Sequence, residues 1–350
     1  VFTTKRITIK DVAKDAGVSI KTVSNVINES GSMRESTRQR VLDSIQKMGY
    51  VVNMSARSLK TGTTGLLGLA IFDFTQPFAS DLADAVIDVA RQQGYGVIID
   101  TYGFNGEGLS SVIDDTYRLG ADGWIYFADR PFSRKGKELE QSYPVVLTGD
   151  YEPFSETDFV TMPNSEAIEA ATTKLLDGGA KKIALLGAPT EIVGSDRASL
   201  EAVTNGTQEL RMLGFARAFW NRGERVDWNY VIPSVGMIRK DGAAAAERLL
   251  SLGSAFDAVV CMNDAMALGA TYALQRHGLR IPEDVQVVGF DNVSEGEYST
   301  PALSTIDPYI HDYARAAVTM LIERIDGYHG PARRYVTDYS IVERESSHLS

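Results

Sequence analysis

Thr8-Ile-Lys-Asp-Val-Ala-Lys-Asp-Ala-Gly-Val-Ser-Ile-Lys-Thr-Val-Ser-Asn-Val-Ile-Asn28 decides how the amino end of this chain folds. Ile9, Val12, Ala13 and Ala16 stand at the i, i+3, i+4, i+7 spacing of one helix face, with Thr8 placed to cap it and Gly17 to stop it. Ser19 caps a second helix, in which Val23, Val26 and Ile27 gather on one side. Lys21, Ser24, Asn25 and Asn28 stand on the other side, so one face packs while the other is free to read something. A third helix, about Ser36 to Met48, is expected to bury Val41, Leu42, Ile45 and Met48. It leaves Arg38, Arg40 and Lys47 for solvent or phosphate, and Gly49 ends it.

Beyond this head, residues 53–60 offer two turns of helix, too short to stand alone, followed by Thr61-Gly-Thr-Thr-Gly65. From Leu66 the pattern becomes apolar strands alternating with amphipathic helices: strand 66–72, helix 79–93, strand 96–100, helix 109–118, strand 123–127, helix 133–141 and strand 145–147. The rhythm restarts after Pro163 with helix 164–177, strand 183–186, helix 208–221, strand 231–233, helix 240–252, strand 258–260, helix 263–276 and strand 285–289. A tail helix 309–326 and a strand near 337–343 must rejoin one or both halves. This predicts a small all-α head plus an α/β core of two similar halves with parallel sheets, whose ligand-facing loops lie at the carboxyl ends of the strands.

The charge is divided along the same boundary. Residues 1–60 carry 11 Lys/Arg against 5 Asp/Glu, whereas residues 61–350 carry 24 against 41. A basic head on an acidic body suits an anionic partner for the head alone, such as nucleic acid. The lone Cys261, set among Val259, Val260 and Met262, reads as a buried thiol in a reducing compartment, and cytoplasm is the expectation. No run approaches the length of a membrane span, and Val1 to Arg6 lacks a signal-peptide core.

The quoted stretch, together with Ser36-Thr-Arg-Gln-Arg-Val41, Gly49-Tyr50 and Ala56-Arg-Ser-Leu59, resembles the lactose/galactose repressor family of bacterial transcription regulators. The likeness continues in Arg211-Met-Leu-Gly-Phe215, Asn263-Asp264, Gly289-Phe-Asp291 and Thr300-Pro-Ala-Leu-Ser-Thr305, and so covers nearly the whole chain. The resemblance implies a helix-turn-helix head over 1–50, a hinge helix and linker over 51–65, and a two-lobed, periplasmic-binding-protein-like core over 66–350. Within that core, one lobe is expected from about 66–162 and 293–325, the other from about 163–292 and 326–350. The implied molecule is a homodimeric, ligand-controlled repressor on a near-palindromic double-stranded operator.

The resemblance also implies the contacts. Ile20, Lys21 and Asn25 match positions that reach bases, and Thr8, Ser19, Thr22, Ser24, Thr37 and Tyr50 match phosphate or positioning contacts; Asn28 shares the same face. Asn25 stands where Arg is usual, which shifts the preferred partner from guanine toward adenine. Asn53, Ala56, Arg57 and Leu59 match the hinge contacts, with Leu59 as a minor-groove wedge. The implied effector cleft holds Phe78, Asp150, Tyr151, Arg211, Met237, Asn263 and Asp291, a mixture of aromatic and hydrogen-bonding side chains that suits a sugar or sugar phosphate. Each has a plainer alternative: Phe78 also suits a core residue at a helix start, Tyr151 a surface loop, and Arg211 with Asp291 a structural ion pair. A purine is disfavoured because position 79, beside Phe78, is Ala. The stretch from Gly187 to Arg211 departs from the usual family length and is expected to form a longer loop at the cleft mouth.

Enzyme readings fare badly. The sequence has no phosphate loop, no nucleophile elbow and no Cys/His metal pair, and His277, His311, His329 and His348 are scattered. Asp150 and Asp291 lack any accompanying acid/base motif, and neither a metal nor a cofactor is called for.

Overall fold

The computed structural model describes residues 7–28, 30–50, 62–103, 109, 112–113, 116–132, 139–153 and 156–349, and its contacts divide into an amino-terminal unit, Val1–Thr64, and a second unit, Gly65–Ser350. The hinge residues Asn53, Ala56, Arg57 and Leu59, residues 110–111 and 114–115 of the expected helix 109–118, and residues 133–138 of the expected helix 133–141 lie outside the described residues.

In the first unit, α1 (Ile9–Asp15), α2 (Ile20–Ile27) and α3 (Glu35–Met48) close around Val12, Ala13, Ala16, Val23, Val26 and Val41. Both expected caps form. Asp11 accepts hydrogen bonds from the Thr8 N–H and hydroxyl, and Ser19 Oγ accepts from the Thr22 N–H at 3.1 Å. Gly49, at φ +60°, ends α3 in the left-handed region. One expectation fails here: Leu42 is 43% exposed, because α3 turns Val41 and Ser44 inward instead. Lys47 stays largely exposed, as expected, and its ammonium also donates to Asp15 at 2.8 Å, a contact that holds this carboxyl below its ordinary range.

The second unit holds two lobes. In the first lobe, β1 (Leu66–Ile71), β2 (Gly96–Thr101), β3 (Gly123–Ala128), β4 (Val145–Gly149) and β5 (Asp158–Thr161) form a sheet with a late strand, β11 (Arg334–Val336). Their order is β11-β5-β4-β3-β1-β2, parallel throughout. Helix α4 (Pro77–Gln92) follows β1 and packs against α11 (Ile310–Ile325). Gly68 is glycine for a local reason: a Cβ there would overlap the fully buried Trp124 indole on the next strand.

The other lobe begins with α5 (Asn164–Asp177), β6 (Ile183–Ala188), α6 (Arg197–Glu201) and α7 (Thr207–Trp220). It continues through β7 (Val231–Pro233), α8 (Arg239–Ser251), β8 (Ala258–Cys261), α9 (Asp264–Arg276), β9 (Gln286–Val288) and α10 (Ser294–Glu297). Its sheet runs β7-β6-β8-β9, again parallel, and β10 (Thr305–Asp307) pairs antiparallel with β12 (Ser340–Val342). Helices α8 and α9 pack so closely that a Cβ at Gly242 would overlap the Met266 carbonyl oxygen.

The lobe boundaries differ from the expected ones. Residues 293–307 belong to the second lobe: Gly289 N–H donates to the Ser304 carbonyl at 2.9 Å, and Thr305 donates its hydroxyl to Asp264 at 2.6 Å. Residues 334–336 instead extend the first lobe's sheet beside β5. That edge is pinned by Asp158, whose carboxylate accepts from Arg324 and Arg333 at 2.8–2.9 Å. Burial alone would raise Asp158, but the two guanidiniums outweigh it and hold the group at about 2. The chain therefore crosses between lobes near 161–164, 307–310 and 336–340.

Candidate functional site

On the head, α2 turns Val23 and Val26 into the core, which leaves Lys21 and Asn28 exposed, Ile20 45% exposed, and Thr22, Ser24 and Asn25 half-buried. Thr8 and Ser19 are exposed at the starts of α1 and α2; Thr37 is half-buried on α3, and Tyr50 packs partly against the head's core. Several of these side chains are already engaged: Thr8 with Asp11, Ser19 with Thr22, and Asn28 with Ser24. The Asn28 amide donates back to the Ser24 carbonyl at 2.8 Å and to the Ser24 hydroxyl at 3.3 Å. Ser24 Oγ therefore accepts locally and keeps its own proton for a phosphate or base acceptor, so Asn28 orients Ser24. Asn25 lies against the turn at Gly31, where a Cβ would come within 3.1 Å of its amide nitrogen.

The core's cavity of about 340 Å³ lies between the lobes, at the low end of the roughly 300–1,000 Å³ usual for small-molecule sites. Its first-lobe wall is aromatic: Phe72 and Phe78 flank Phe127, with ring centroids 5.4 and 5.9 Å from it and planes at 64° and 61°. Asp129 and Arg130, paired to each other at 3.1 Å, lie beside them. Val235, Gly236 and Met237, from the loop after β7, and Asn263 and Asp291 line the cavity from the second lobe.

Of the seven expected effector residues, Phe78, Asp150, Arg211, Met237, Asn263 and Asp291 line this cavity. Tyr151 does not; it is half-buried against the core, and burial pushes its phenol upward. Several of the six are committed to protein partners. Asp150 accepts from the Thr161 hydroxyl at 2.9 Å, Asn164 Nδ2 at 2.7 Å and the Thr207 hydroxyl at 2.6 Å, which joins the lobes beside the 161–164 crossing. Arg211 donates to Asn164 Oδ1 at 2.7 Å and to the Met262 carbonyl, and its guanidinium lies 3.6 Å from the Phe290 ring centre. Asn263 is first a helix cap, accepting from Met266 N–H at 2.9 Å.

Asp291 is different. It is 8% exposed, sits at φ +120°, and approaches Arg211 only to 3.8 Å. Burial pushes its carboxyl well above the ordinary range, against the pull of Arg211 and with a further push from Asp264 and Asp150. Asp264, behind it, is raised by burial to about 7, although Thr305 and the Val293 N–H both donate to it. Three buried carboxylates thus share one buried guanidinium, and Asp291 is the one whose hydrogen-bonding capacity is open to the cavity.

The sequence reading missed Phe72, Gln76, Phe127, Asp129, Thr207 and Gln208. The rule that ligands meet the carboxyl ends of parallel strands would have found Phe72 after β1 and Phe127 and Asp129 at the end of β3. The unusual stretch after Gly187 folds into α6 and a turn in which Asn205 Oδ1 accepts from Glu152 N–H at 2.8 Å, so it binds the opposite lobe. Among the described residues no cluster of metal-ligating side chains occurs, and no helix is long and apolar enough to cross a membrane.

Comparison with known proteins matches residues 8–53 to the bacterial regulatory proteins of the lacI family and residues 172–347 to the periplasmic binding protein-like domain. The HTH-type transcriptional repressor PurR of Vibrio cholerae serotype O1 (strain M66-2) is 31% identical over 342 residues, 97% of each chain. A LacI-type transcription regulator from Bifidobacterium animalis subsp. lactis DSM 10140 superposes with a TM-score of 0.77 at 49% identity, over 80% of this chain and 99% of that one. The transcriptional regulator CelR in complex with cellobiose superposes with a TM-score of 0.71 at 25% identity, over 98% of this chain and 100% of that one. With its three-helix head and its two parallel-sheet lobes around a cavity, the chain belongs to the LacI family of bacterial transcription regulators: it is a DNA-binding regulator with an effector-binding core, and not an enzyme.

Proposed function

We propose that this protein is a homodimeric repressor, working in the cytoplasm on a near-palindromic operator, and that its effector is a neutral carbohydrate. The head reads bases through Ile20, Lys21 and Asn25, while Thr8, Ser19, Thr22, Ser24, Thr37 and Tyr50 meet or orient phosphate contacts and Asn28 positions Ser24. Asn53, Ala56, Arg57 and Leu59 are assigned to the minor groove on sequence alone.

The observation that carries the effector assignment is the balance of charge at the cavity. Asp129, Asp150 and Asp291 face only Arg130 and Arg211, and both guanidiniums lie near carboxylates. A phosphate monoester, with about −1.5 to −2 charges, would meet no surplus cation there. Hydroxyls suit the site better, since they donate to a carboxylate such as Asp291 while an apolar sugar face lies on Phe78 and Phe127. The bound cellobiose of the similar CelR structure supports the same class.

A nucleobase is the second reading, favoured by the similarity to PurR and by Phe127, which supplies the second aromatic that position 79 lacks. The steep angles among Phe72, Phe78 and Phe127 place the rings edge to face on one wall, which offers a platform instead of a sandwich. Thermal-shift titration of the full chain with cellobiose, D-glucose, D-glucose 6-phosphate and hypoxanthine separates these readings. Stabilisation by a neutral sugar and not by the phosphate or the base is expected, and stabilisation by hypoxanthine alone would overturn the assignment.

A further inference from the structure

Gln76 directly precedes Pro77, the first residue of α4, and so sits at that helix's N-terminus on the first lobe. The residue is only 7% exposed and lines the cavity, and its Oε1 accepts from Asn263 Nδ2 at 3.0 Å. Asn263 belongs wholly to the other lobe: its Oδ1 caps α9, and its Nδ2 also donates to the Met237 carbonyl at 3.0 Å. The Gln76 bond is therefore made to a side chain held rigidly from two directions, and it joins the lobes across the ligand space. Among the described residues Gln76 Nε2 has no hydrogen-bond partner, although the residue is more than nine-tenths buried. The other inter-lobe bonds between described residues, from the Thr207 hydroxyl to Asp150, from Gly206 N–H to the Asp150 carbonyl and from Glu152 N–H to Asn205, flank the 161–164 crossing, where rotation about the crossing moves atoms least. Gln76 and Asn263 lie at the N-termini of α4 and α9, neither of which carries a crossing.

We infer that Gln76 is a positioning residue that latches the two lobes through Asn263 and couples cavity occupancy to lobe closure. The inference rests on the reading of this cavity as the effector site. An effector atom that accepts from the unpartnered Nε2 leaves the Asn263 bond in place and adds to closure. An effector that donates to Oε1 shares that oxygen with Asn263 and draws it toward the ligand, which weakens the bond across the lobes. The amide thus sorts ligands by polarity as well as shape.

The test needs no effector. Spin labels at Ser80→Cys on α4 and Lys240→Cys on α8, both exposed positions, report the lobe separation in the full chain, while the native Cys261 is fully buried. Gln76→Glu keeps the acceptor oxygen and is expected to leave the distance unchanged. Gln76→Leu removes it and is expected to lengthen the most populated distance by roughly 2 Å or more, with a broader distribution. Should Gln76→Leu not yield folded protein, Gln76→Met supplies the same change without the branched carbon. An unchanged distance in the apolar variant, or an equal lengthening in Gln76→Glu, overturns the latch. A failed sugar screen would strike the carbohydrate assignment and leave this result standing.

Discussion

Arg211 Nη2 and Asp291 Oδ1 lie 3.8 Å apart, too far for a hydrogen bond, while the guanidinium gives its hydrogen bonds to Asn164 and Met262 and covers the Phe290 ring. The two halves of this loose pair have different work. Arg211 neutralises buried charge and ties α7 to the start of α5, and Asp291 keeps its oxygens for the cavity.

The asymmetry predicts unequal mutants. Arg211→Met leaves Asp291, Asp150 and Asp264 without their buried cation and should destabilise the core by about 3–5 kcal/mol. Asp291→Asn removes a charge that burial already disfavours, and should change stability by less than about 1 kcal/mol while abolishing the thermal shift from any stabilising sugar. Urea unfolding of the full-length variants checks both figures; equal losses would mean that the pair is tight after all.

Asp264 predicts a pH dependence of stability. Its folded pKa is raised from an ordinary 3.8 to about 7, so the native state holds this proton where the unfolded chain has released it. The group's contribution is fully present below 3.8 and is lost as pH rises through about 7. The unfolding midpoint of the native chain should therefore fall, relative to Asp264→Asn, between about pH 4 and pH 7 and run parallel to it above that. Profiles of the two proteins that are parallel throughout would exclude Asp264 as the titrating group.

On DNA, Lys21 and Asn28 should behave differently. Lys21→Ala is expected to cost about 1–3 kcal/mol of operator binding and to relax base preference. Asn28→Ala frees the Ser24 hydroxyl without removing a base contact, so it should weaken all sequences alike, by about 0.5–1.5 kcal/mol. Competition binding across single-base operator variants distinguishes the two patterns, and a base-specific loss in Asn28→Ala would restore it as a reader.

Gly31 should matter for recognition although it reads nothing. At φ +78°, an Ala there is strained by about 1–2 kcal/mol, and its Cβ would press on the Asn25 amide at 3.1 Å. Gly31→Ala is expected to lower the head's thermal stability and to alter preference at the base pair read by Asn25. Unaltered preference in the folded variant would detach Asn25 from base reading.

The head was legible almost residue by residue, because its information is local. Thr8 and Ser19 cap where their spacing says, Gly49 takes the left-handed turn, and Val12, Val23 and Val26 are inside. Leu42 was misread because a helix of this length offers more apolar positions than a three-helix head has room to cover. Six of the seven expected cavity residues meet in space, yet what they do there was not legible. A sequence does not say that Asn263 spends its amide on capping α9 or that Asp150 is saturated by Thr161, Asn164 and Thr207.

Sequence alone determined the elements: helical and strand periods, caps, the basic head and the acidic body, all set by interactions among near neighbours in the chain. Only the tertiary structure decided which lobe takes residues 293–307 and 334–336, that Gln76 faces Asn263, and that three carboxylates share one guanidinium. Those outcomes depend on burial and on hydrogen bonds between groups as many as 187 positions apart, and no local pattern encodes the low-polarity surroundings that give them their strength.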